Sequence, residues 1–523
     1  MRYVVGMTSI PADTPEYVQQ LIAERDLLRE QVDLLLAQVK LLRAQLFGRK
    51  SEKMADILSP QLPLFDEQAA AGDQAEEAYE PEVQVAPHSR RKKGRKPLPE
   101  DLPRVEVVHD VSAEAKTCAC GGEKSRIGED VSEQLDMIPA RMQVIRHIRP
   151  KYACRQCEGV EDQGPTVVIA PAPEQMIAKS IASPGLLAHV LTAKFADALP
   201  FYRQEGQFAR LGVEIGRGVM CGWAMKVARR CEPLLELMQE EIRSGPVVNV
   251  DETTVQVLAE IGRAAKAKSY MWVFRGGAPE RPALVFQYQP TRSGDPAAVF
   301  LRGYRGCVQT DGYIGYDFLD HQPGVIHAGC WAHARRKFND VLKAAGKPAK
   351  REGIADEALG WIGKLYKIEA HMREAGLDQE AIYRQRQEQA VPLLADFRQW
   401  LLARQREVPP RSLLGKAIAY TLSQWKRLQR YVEHGLLRLD NNSAENAIRP
   451  FVVGRKNWLF SGTPQGAKAS AAIYSIIETA KANGLEPYWY LRALFERLPA
   501  AGTKAQIKAL LPQYIDRNLV VAR

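Results

Sequence analysis

The sequence predicts a multidomain α/β protein built on a mixed sheet, and three observations lead there. Short β-branched runs recur between Pro246 and Ala328, the stretches on either side read as helices, and 523 residues with 46% hydrophobic content exceed what one core organises. Lys and Arg number 72 against 62 Asp and Glu, a balance of +10, which makes a polyanion the natural partner and nucleic acid the first candidate. No run of about 18 apolar residues occurs, and the start MRYVVGMTSI lacks an apolar h-region, so neither a membrane span nor a signal peptide is expected. A reducing cytoplasm is the expected setting, and there eight cysteines point to metal rather than disulfides.

In chain order, residues 15–50 carry Leu21, Leu28, Leu35 and Leu42 at a strict spacing of seven, with Val32, Val39 and Leu46 between them. Leu at d with β-branched residues at a predicts a parallel two-stranded coiled coil, interrupted by Arg25 at the first a position. The alternative is one amphipathic helix packed on its own chain. Residues 51–104 contain Pro60, Pro63, Pro81, Pro87 and an acidic stretch without apolar period, a flexible linker. It ends in a basic run, Arg90, Arg91, Lys92, Lys93, Arg95 and Lys96, suited to phosphates or a minor groove, or simply to solvation.

Residues 105–165 form a candidate zinc module, with Cys118-Ala-Cys120 and Cys154-Arg-Gln-Cys157 as four thiolates for one tetrahedral ion and a strand over Met142 to Tyr152 between them. The single residue inside the first pair departs from knuckle spacing, so Cys120, Cys154 and Cys157 with His109 or His147 are the alternative set. Residues 175–243 read as helices around the turn Leu211-Gly-Val-Glu-Ile215. A helix-turn-helix there would direct Arg217, Lys226, Arg229 and Arg230 at DNA; an ordinary αα-hairpin with Trp223 and Met225 packed inward fits the pattern equally well.

The core is expected over 244–345 and 436–482, with strands at 247–250, 270–275, 283–288, 307–310 and 324–328 and a short helix after Pro296. Three antiparallel strands followed by parallel ones is the order that the family resemblance given below implies, and it brings the first and fourth side by side. Asp251 and Asp311 then stand as neighbouring strand-end acids. Glu252 faces the opposite way on an extended strand, and Asp317 and Asp320 read as surface or capping residues. Glu445 is the candidate third metal ligand, in a helix Ser443 to Arg449 capped by Ser443, with Asp440 as its competitor and an i,i+4 pair to Arg449 as the structural alternative. Asn441, Asn442, Arg455, Lys456 and Trp458 are candidate DNA contacts. Residues 346–435 are a helical insertion whose Arg384, Arg386, Lys426, Arg427 and Arg430 either meet DNA or are solvated. Residues 483–523 are a helical tail with packing aromatics.

The stretches NVDETTVQV, VQTDGYIGY, GCWAHARRKF and DNNSAENAIRPFVVGRKNWLFSG closely resemble the IS66 family of transposases, and the likeness covers nearly the whole chain. It implies a DDE recombinase with a ribonuclease H-like core, in which Asp251, Asp311 and Glu445 hold divalent metal, Mg2+ or Mn2+, two ions to the site. The family's zinc-finger segment has C-x-x-C where this chain has Cys118-Ala-Cys120. Cys330-Trp-Ala-His333 resembles a C-x-x-H element found after the second aspartate in several such groups, and reads as a packed thiol and a hydrogen-bonded imidazole rather than a second zinc site.

The expected function is metal-dependent cleavage and strand transfer of DNA at the terminal inverted repeats of an insertion sequence, in a bacterial, nucleoid-associated setting. A homodimer or higher oligomer and two small companion proteins are the expected partners besides DNA. The rivals are a DNA-binding regulator or domesticated remnant with a dead core, and a nuclease without strand transfer.

Overall fold

The computed structural model describes residues 141–153, 167–345 and 353–521, with isolated positions at 24, 25, 28, 32, 36, 104, 106 and 134. The chain divides into a unit of residues 61–148 and a second unit comprising the rest. In the smaller unit the described stretch 141–148 is exposed and has no regular structure. The expected strand over Met142 to Tyr152 therefore shrinks to β1 (Lys151–Ala153), paired antiparallel with β2 (Val167–Ile169) in the larger unit. A run of β-branched residues without a partner ladder or a buried face does not hold strand geometry. Cys118, Cys120, Cys154, Cys157, His109 and the basic run from Arg90 to Lys96 lie outside the described residues, as does most of the heptad segment. Within that segment Glu24, Arg25, Leu28, Val32 and Leu36 are helical, and Leu28, Val32 and Leu36 are exposed.

Four helices lead into the sheet of the larger unit: α1 (Pro184–Phe195), α2 (Phe201–Arg210), α3 (Arg217–Arg230) and α4 (Glu232–Ser244). Ser183 caps α1, accepting the Leu186 N–H. Gly212, at φ +79°, makes the turn between α2 and α3 that a side chain would strain. Trp223 of α3 is buried and Met225 half-buried.

The sheet holds β3 (Val247–Gln256), β4 (Lys268–Ala278), β5 (Arg281–Gln289), β6 (Gly306–Gln309) and β7 (Val325–Ala328), in the order β5-β4-β3-β6-β7. β3, β4 and β5 are antiparallel neighbours, whereas β3–β6 and β6–β7 are parallel. The crossover from β5 to β6 contains α5 (Asp295–Phe300), and a 3-10 helix (Ile314–His321) joins β6 to β7. After β7 come α6 (Trp331–Ala345), α7 (Ile354–Glu374), α8 (Gln379–Gln385), a π-helical turn (Arg386–Ala390), α9 (Val391–Glu407), α10 (Leu413–Ser423) and α11 (Trp425–Leu428). They build a second core, in which Trp331, Phe397 and Trp425 meet beneath β6 and β7.

The chain then returns to the sheet through α12 (Asn442–Trp458), α13 (Pro464–Ala482), α14 (Pro487–Arg497) and α15 (Lys504–Lys508). Strand β5 is an edge, and α13 closes it with side chains. The Leu284 N–H donates to Thr479 Oγ1 at 2.9 Å, the Phe286 N–H donates to Ser475 Oγ at 2.8 Å, and the Thr479 hydroxyl donates to the Leu284 carbonyl at 3.1 Å. Backbone groups that would otherwise template another strand are thus satisfied within the chain. The tail aromatics pack: Tyr490 and Phe495 are buried, and the Tyr490 hydroxyl donates to the Leu510 carbonyl.

Candidate active site

Asp251 does not close its strand. β3 runs on to Gln256, because β4 pairs with it over its whole outer half, while parallel pairing with β6 stops at Asn249 opposite Gln309. Continuing that register by two residues on each chain sets Asp251 beside Asp311, at the point where β6 has ended and β3 has lost its partner on that side. Such a divergence is where an open sheet makes a ligand crevice.

Three buried amides hold the segments that carry the acids. Asn249, two residues before Asp251, donates through Nδ2 to Gln309 Oε1 at 3.2 Å and to Asn441 Oδ1 at 3.0 Å. Asn441 donates through Nδ2 to the Val250 carbonyl at 2.8 Å, and Gln309 through Nε2 to the carbonyls of Gly329 and Arg438 at 3.1 and 2.7 Å. Gln309 precedes Asp311 by two residues and Asn441 precedes Glu445 by four, so one network fixes β3, β6 and the start of α12 together. Asn441, a candidate DNA contact from the sequence, is buried there with its side-chain amide in this network. The sequence clue was a polar residue inside each apolar run, Val-Val-Asn-Val and Cys-Val-Gln-Thr, where burial makes hydrogen bonding obligatory.

The carboxylates crowd one another. Burial pushes the Asp251 carboxyl well above its usual range, and the charges of Glu252, Asp311 and Glu445 push it further, against one stabilising N–H from Glu252 at 2.9 Å. Asp311 Oδ1 accepts the Tyr313 N–H at 2.9 Å. Glu252 turns away to the Arg292 guanidinium at 2.5 Å and the Tyr316 hydroxyl, and Arg292 lies 3.9 Å above the Tyr313 ring. Glu252, Arg292, Tyr313 and Tyr316 thereby clamp the turn that follows Asp311, a role that single-sequence reading missed.

Glu445 occupies the first turn of α12, where the helix dipole favours an anion. Its ion pair reaches across to Arg336 at 3.6 Å instead of to Arg449, with the His333 ring at 3.8 Å. Asn441, not Ser443, stands at the N-cap, with its side chain committed to the amide network. The helix also runs through Pro450 to Trp458 rather than stopping at Arg449. Proline inside a helix costs about 3 kcal/mol, which burial of Ile448 and Phe451, each worth roughly 1.5–3 kcal/mol, offsets. The helix ends at Leu459, whose φ of +65° turns the chain so that the Ser461 N–H reaches the Gln256 carbonyl. Arg455 is thereby held over β3, donating to Thr253 and Thr254 at 3.2 Å, with Lys456 exposed beside it.

The competing acids have other duties. Asp440 accepts the Tyr366 hydroxyl and the Asn442 N–H. Asp317 and Asp320 both grip Arg427 at 2.6 Å. Burial opposes ionisation of Asp320, yet His327 and Arg427 hold its carboxyl well below the normal range. Arg427 is thus engaged, Arg430 pairs with Glu433, and Arg386 is 2% exposed in a bidentate pair with Glu369. Arg384 and Lys426 remain exposed. Trp458 packs edge-on against Phe451. Arg217, Lys226, Arg229 and Arg230 are exposed, and Arg230 also donates to the Pro499 carbonyl. Among the described residues no helix is long and apolar enough to cross a membrane.

Comparison with known families gives four matches along the chain. A model described as the IS66 family of transposases covers residues 179–469, and one for the IS66 C-terminal element covers 475–513. The zinc-finger binding domain of transposase IS66 matches 115–158, a span that includes all four candidate cysteines. A model described as "Transposase C of IS166 homeodomain" matches 34–107. Two similar proteins of Sinorhizobium fredii are both named only as uncharacterized proteins. One, y4jD, is 34% identical over 94% of this chain and 97% of its own length, and the other, y4qI, is 30% identical over 95% and 91%.

Proposed function

The chain belongs to the IS66 family of transposases, and from that premise we propose that it cuts DNA at the terminal inverted repeats of an insertion sequence and joins the freed ends to a target. In this reading Asp251, Asp311 and Glu445 are the metal-holding acids of a ribonuclease H-like core. The observation that carries it is the convergence of Asp311 and Glu445 on a buried Asp251 that no cation offsets, where β3 and β6 part. Oxygen donors of this kind suit Mg2+ or Mn2+. The hydrogen bonds to Asp251 and Asp311 engage Oδ1 of each, leaving Oδ2 without one among the described residues.

Divalent ions bound there supply an activated water or 3′-hydroxyl and stabilise the leaving oxygen of an in-line displacement. The chain's own part is positional. Asn249, Gln309 and Asn441 fix the three acid-bearing segments, and Glu252 with Tyr316 and Arg292 fixes the turn after Asp311. Arg455, Lys456, the basic run Arg90–Lys96 and the exposed cations of α3 neutralise phosphates. The reading is tested by incubating purified full-length protein, with any companion proteins of the element, and repeat-bearing DNA in Mg2+ or Mn2+. Nicking at the repeat ends supports it; binding without cleavage in either metal favours the non-catalytic regulator.

The cysteines of the 115–158 segment hold structural zinc in this reading, so Cys154→Ser and Cys157→Ser should each lower bound zinc by one equivalent per chain in elemental analysis. Full retention in both would remove them as ligands. Leu28, Val32 and Leu36, exposed on a helix, support a second copy as their cover. Deleting residues 1–50 should reduce the mass seen by light scattering; an unchanged oligomer would put the self-association elsewhere.

A further inference from the structure

Two side chains near Glu445 have no function in the DNA-cleaving reading. Cys330 immediately precedes α6 and His333 lies in its first turn, and both side chains reach the first turn of α12. Cys330 Sγ, a ring nitrogen of His333 and a carboxylate oxygen of Glu445 all lie within 4.8 Å of one another. His333 Nδ1 and Glu445 Oε1 face each other at 3.8 Å, too far for a hydrogen bond, and both atoms are buried with no hydrogen-bond partner. On its Nδ1 side, then, the imidazole lacks the hydrogen bond expected of it. The Asn441 N–H donates to Cys330 Sγ at 3.2 Å, and the His333 backbone N–H also points at it. Burial pushes the thiol up to about 12, and these two amide donors only partly oppose that, so what marks the site is the convergence of the three ligand atoms.

We propose that Cys330, His333 and Glu445 form a binding site for a thiophilic transition-metal ion, zinc by its donor chemistry, distinct from the oxygen-lined position between Asp251 and Asp311. One sulfur, one imidazole nitrogen and one carboxylate oxygen suit zinc and not magnesium. Zinc bonds of about 2.0–2.2 Å to nitrogen and oxygen place those two ligands roughly 3.4 Å apart in a tetrahedron, so a contraction of a few tenths of an ångström closes the present separation. Binding replaces the S–H bond of Cys330 by a sulfur–metal bond and releases the proton to solvent. Three protein ligands leave a fourth position open, with the Arg336 guanidinium 3.6 Å from the outer oxygen of Glu445 beside it. The ion would fix one oxygen of Glu445 and leave the other for the carboxylate cluster. Only that last consequence rests on the DNA-cleaving reading; the metal site itself does not.

The test is zinc content of the full-length protein after dialysis against metal-free buffer. Wild type should carry one equivalent per chain beyond the one that Cys154→Ser removes. His333→Ala and Cys330→Ser should each lack that equivalent, and Asp251→Asn should keep it. Cys330 is buried and its variant can misfold, so His333→Ala, at a partly exposed position, is the decisive variant, with its helix content verified by circular dichroism. A folded His333→Ala that retains the wild-type zinc overturns the proposal. So does a wild type holding only the finger's zinc after one equivalent of Zn2+ is added, or an Asp251→Asn that loses the same equivalent. Loss in His333→Ala alongside a wild type that never cuts DNA upholds the zinc site and counts only against the cleavage reading.

Discussion

Asp251→Asn, Asp311→Asn and Glu445→Gln are each expected to lower Mg2+- or Mn2+-dependent cleavage at the element's ends by at least about 10³-fold, because ion stabilisation of a phosphoryl-transfer transition state is worth several kcal/mol. End binding in a gel shift should persist, since it comes from phosphate contacts at cations that these changes leave in place. The Asn and Gln side chains keep shape and hydrogen-bonding reach, so the buried amides beside them need not rearrange. Asp251→Asn should also leave the fold at least as stable in the absence of metal. Its carboxyl is pushed up by burial first and by Glu252, Asp311 and Glu445 next, so ionising it costs the folded state stability as pH rises through its raised pKa. Near-normal cleavage by any one variant, with an active wild type alongside, would take that residue out of the site. Asp317 and Asp440 would then be the next acids to change, although Arg427 and Tyr366 already engage them.

Arg386→Ala should destabilise the helical region by about 3–5 kcal/mol, the range for removing one partner of a buried ion pair. The guanidinium meets both oxygens of Glu369 at 2.8 and 2.6 Å and donates to the carbonyls of Tyr431, His434 and Leu437 at 3.0, 2.8 and 2.8 Å. Alanine leaves the largely buried Glu369 carboxylate without its cation and takes this donor from the Tyr431 and Leu437 carbonyls, while the His434 carbonyl keeps the Leu437 N–H. Arg386→Lys should recover little, since an ammonium cannot reproduce the planar fork. Urea unfolding followed by tryptophan fluorescence reads the transition of this region, where Trp331, Trp361, Trp400 and Trp425 gather. A loss below about 1 kcal/mol would mean that the pair is replaceable packing. Because Leu437 leads directly into Leu439–Asn441, cleavage should fall as well, through a loosened seat for Glu445.

The sheet was legible because each strand announces itself locally. Val-Val-Asn-Val, Met-Trp-Val-Phe and Ala-Leu-Val-Phe are runs that suit a buried pleat, and the resemblance to the transposase family implied how they are ordered. The neighbouring placement of Asp251 and Asp311 followed from that order. What escaped depends on partners far along the chain. Asp251 looked like a strand end because the apolar run stops there, but β4 carries the ladder onward. Asn441 looked like a surface residue in a polar stretch, yet its bond to Asn249 spans 192 positions. Arg386 and Arg427 looked like solvated helix charges, since nothing nearby in sequence shows Glu369, Asp317 or Asp320 closing over them. The passage of α12 through Pro450 was hidden for the same reason: the local penalty is visible, and the burial of Ile448 and Phe451 that offsets it is not.

The sealed edge of the sheet has a consequence in time. Leu284 and Phe286 leave the ribosome 195 and 189 residues before Thr479 and Ser475, the side chains that satisfy their backbone. At about 5–20 residues per second, synthesis leaves that strand uncovered for roughly 10–40 s. During that interval every nascent chain offers its neighbour on the polysome a ready pairing surface. A frameshift or stop between Gln289 and Ser475 makes the exposure permanent, so truncated products of this gene should accumulate as aggregates rather than as folded fragments.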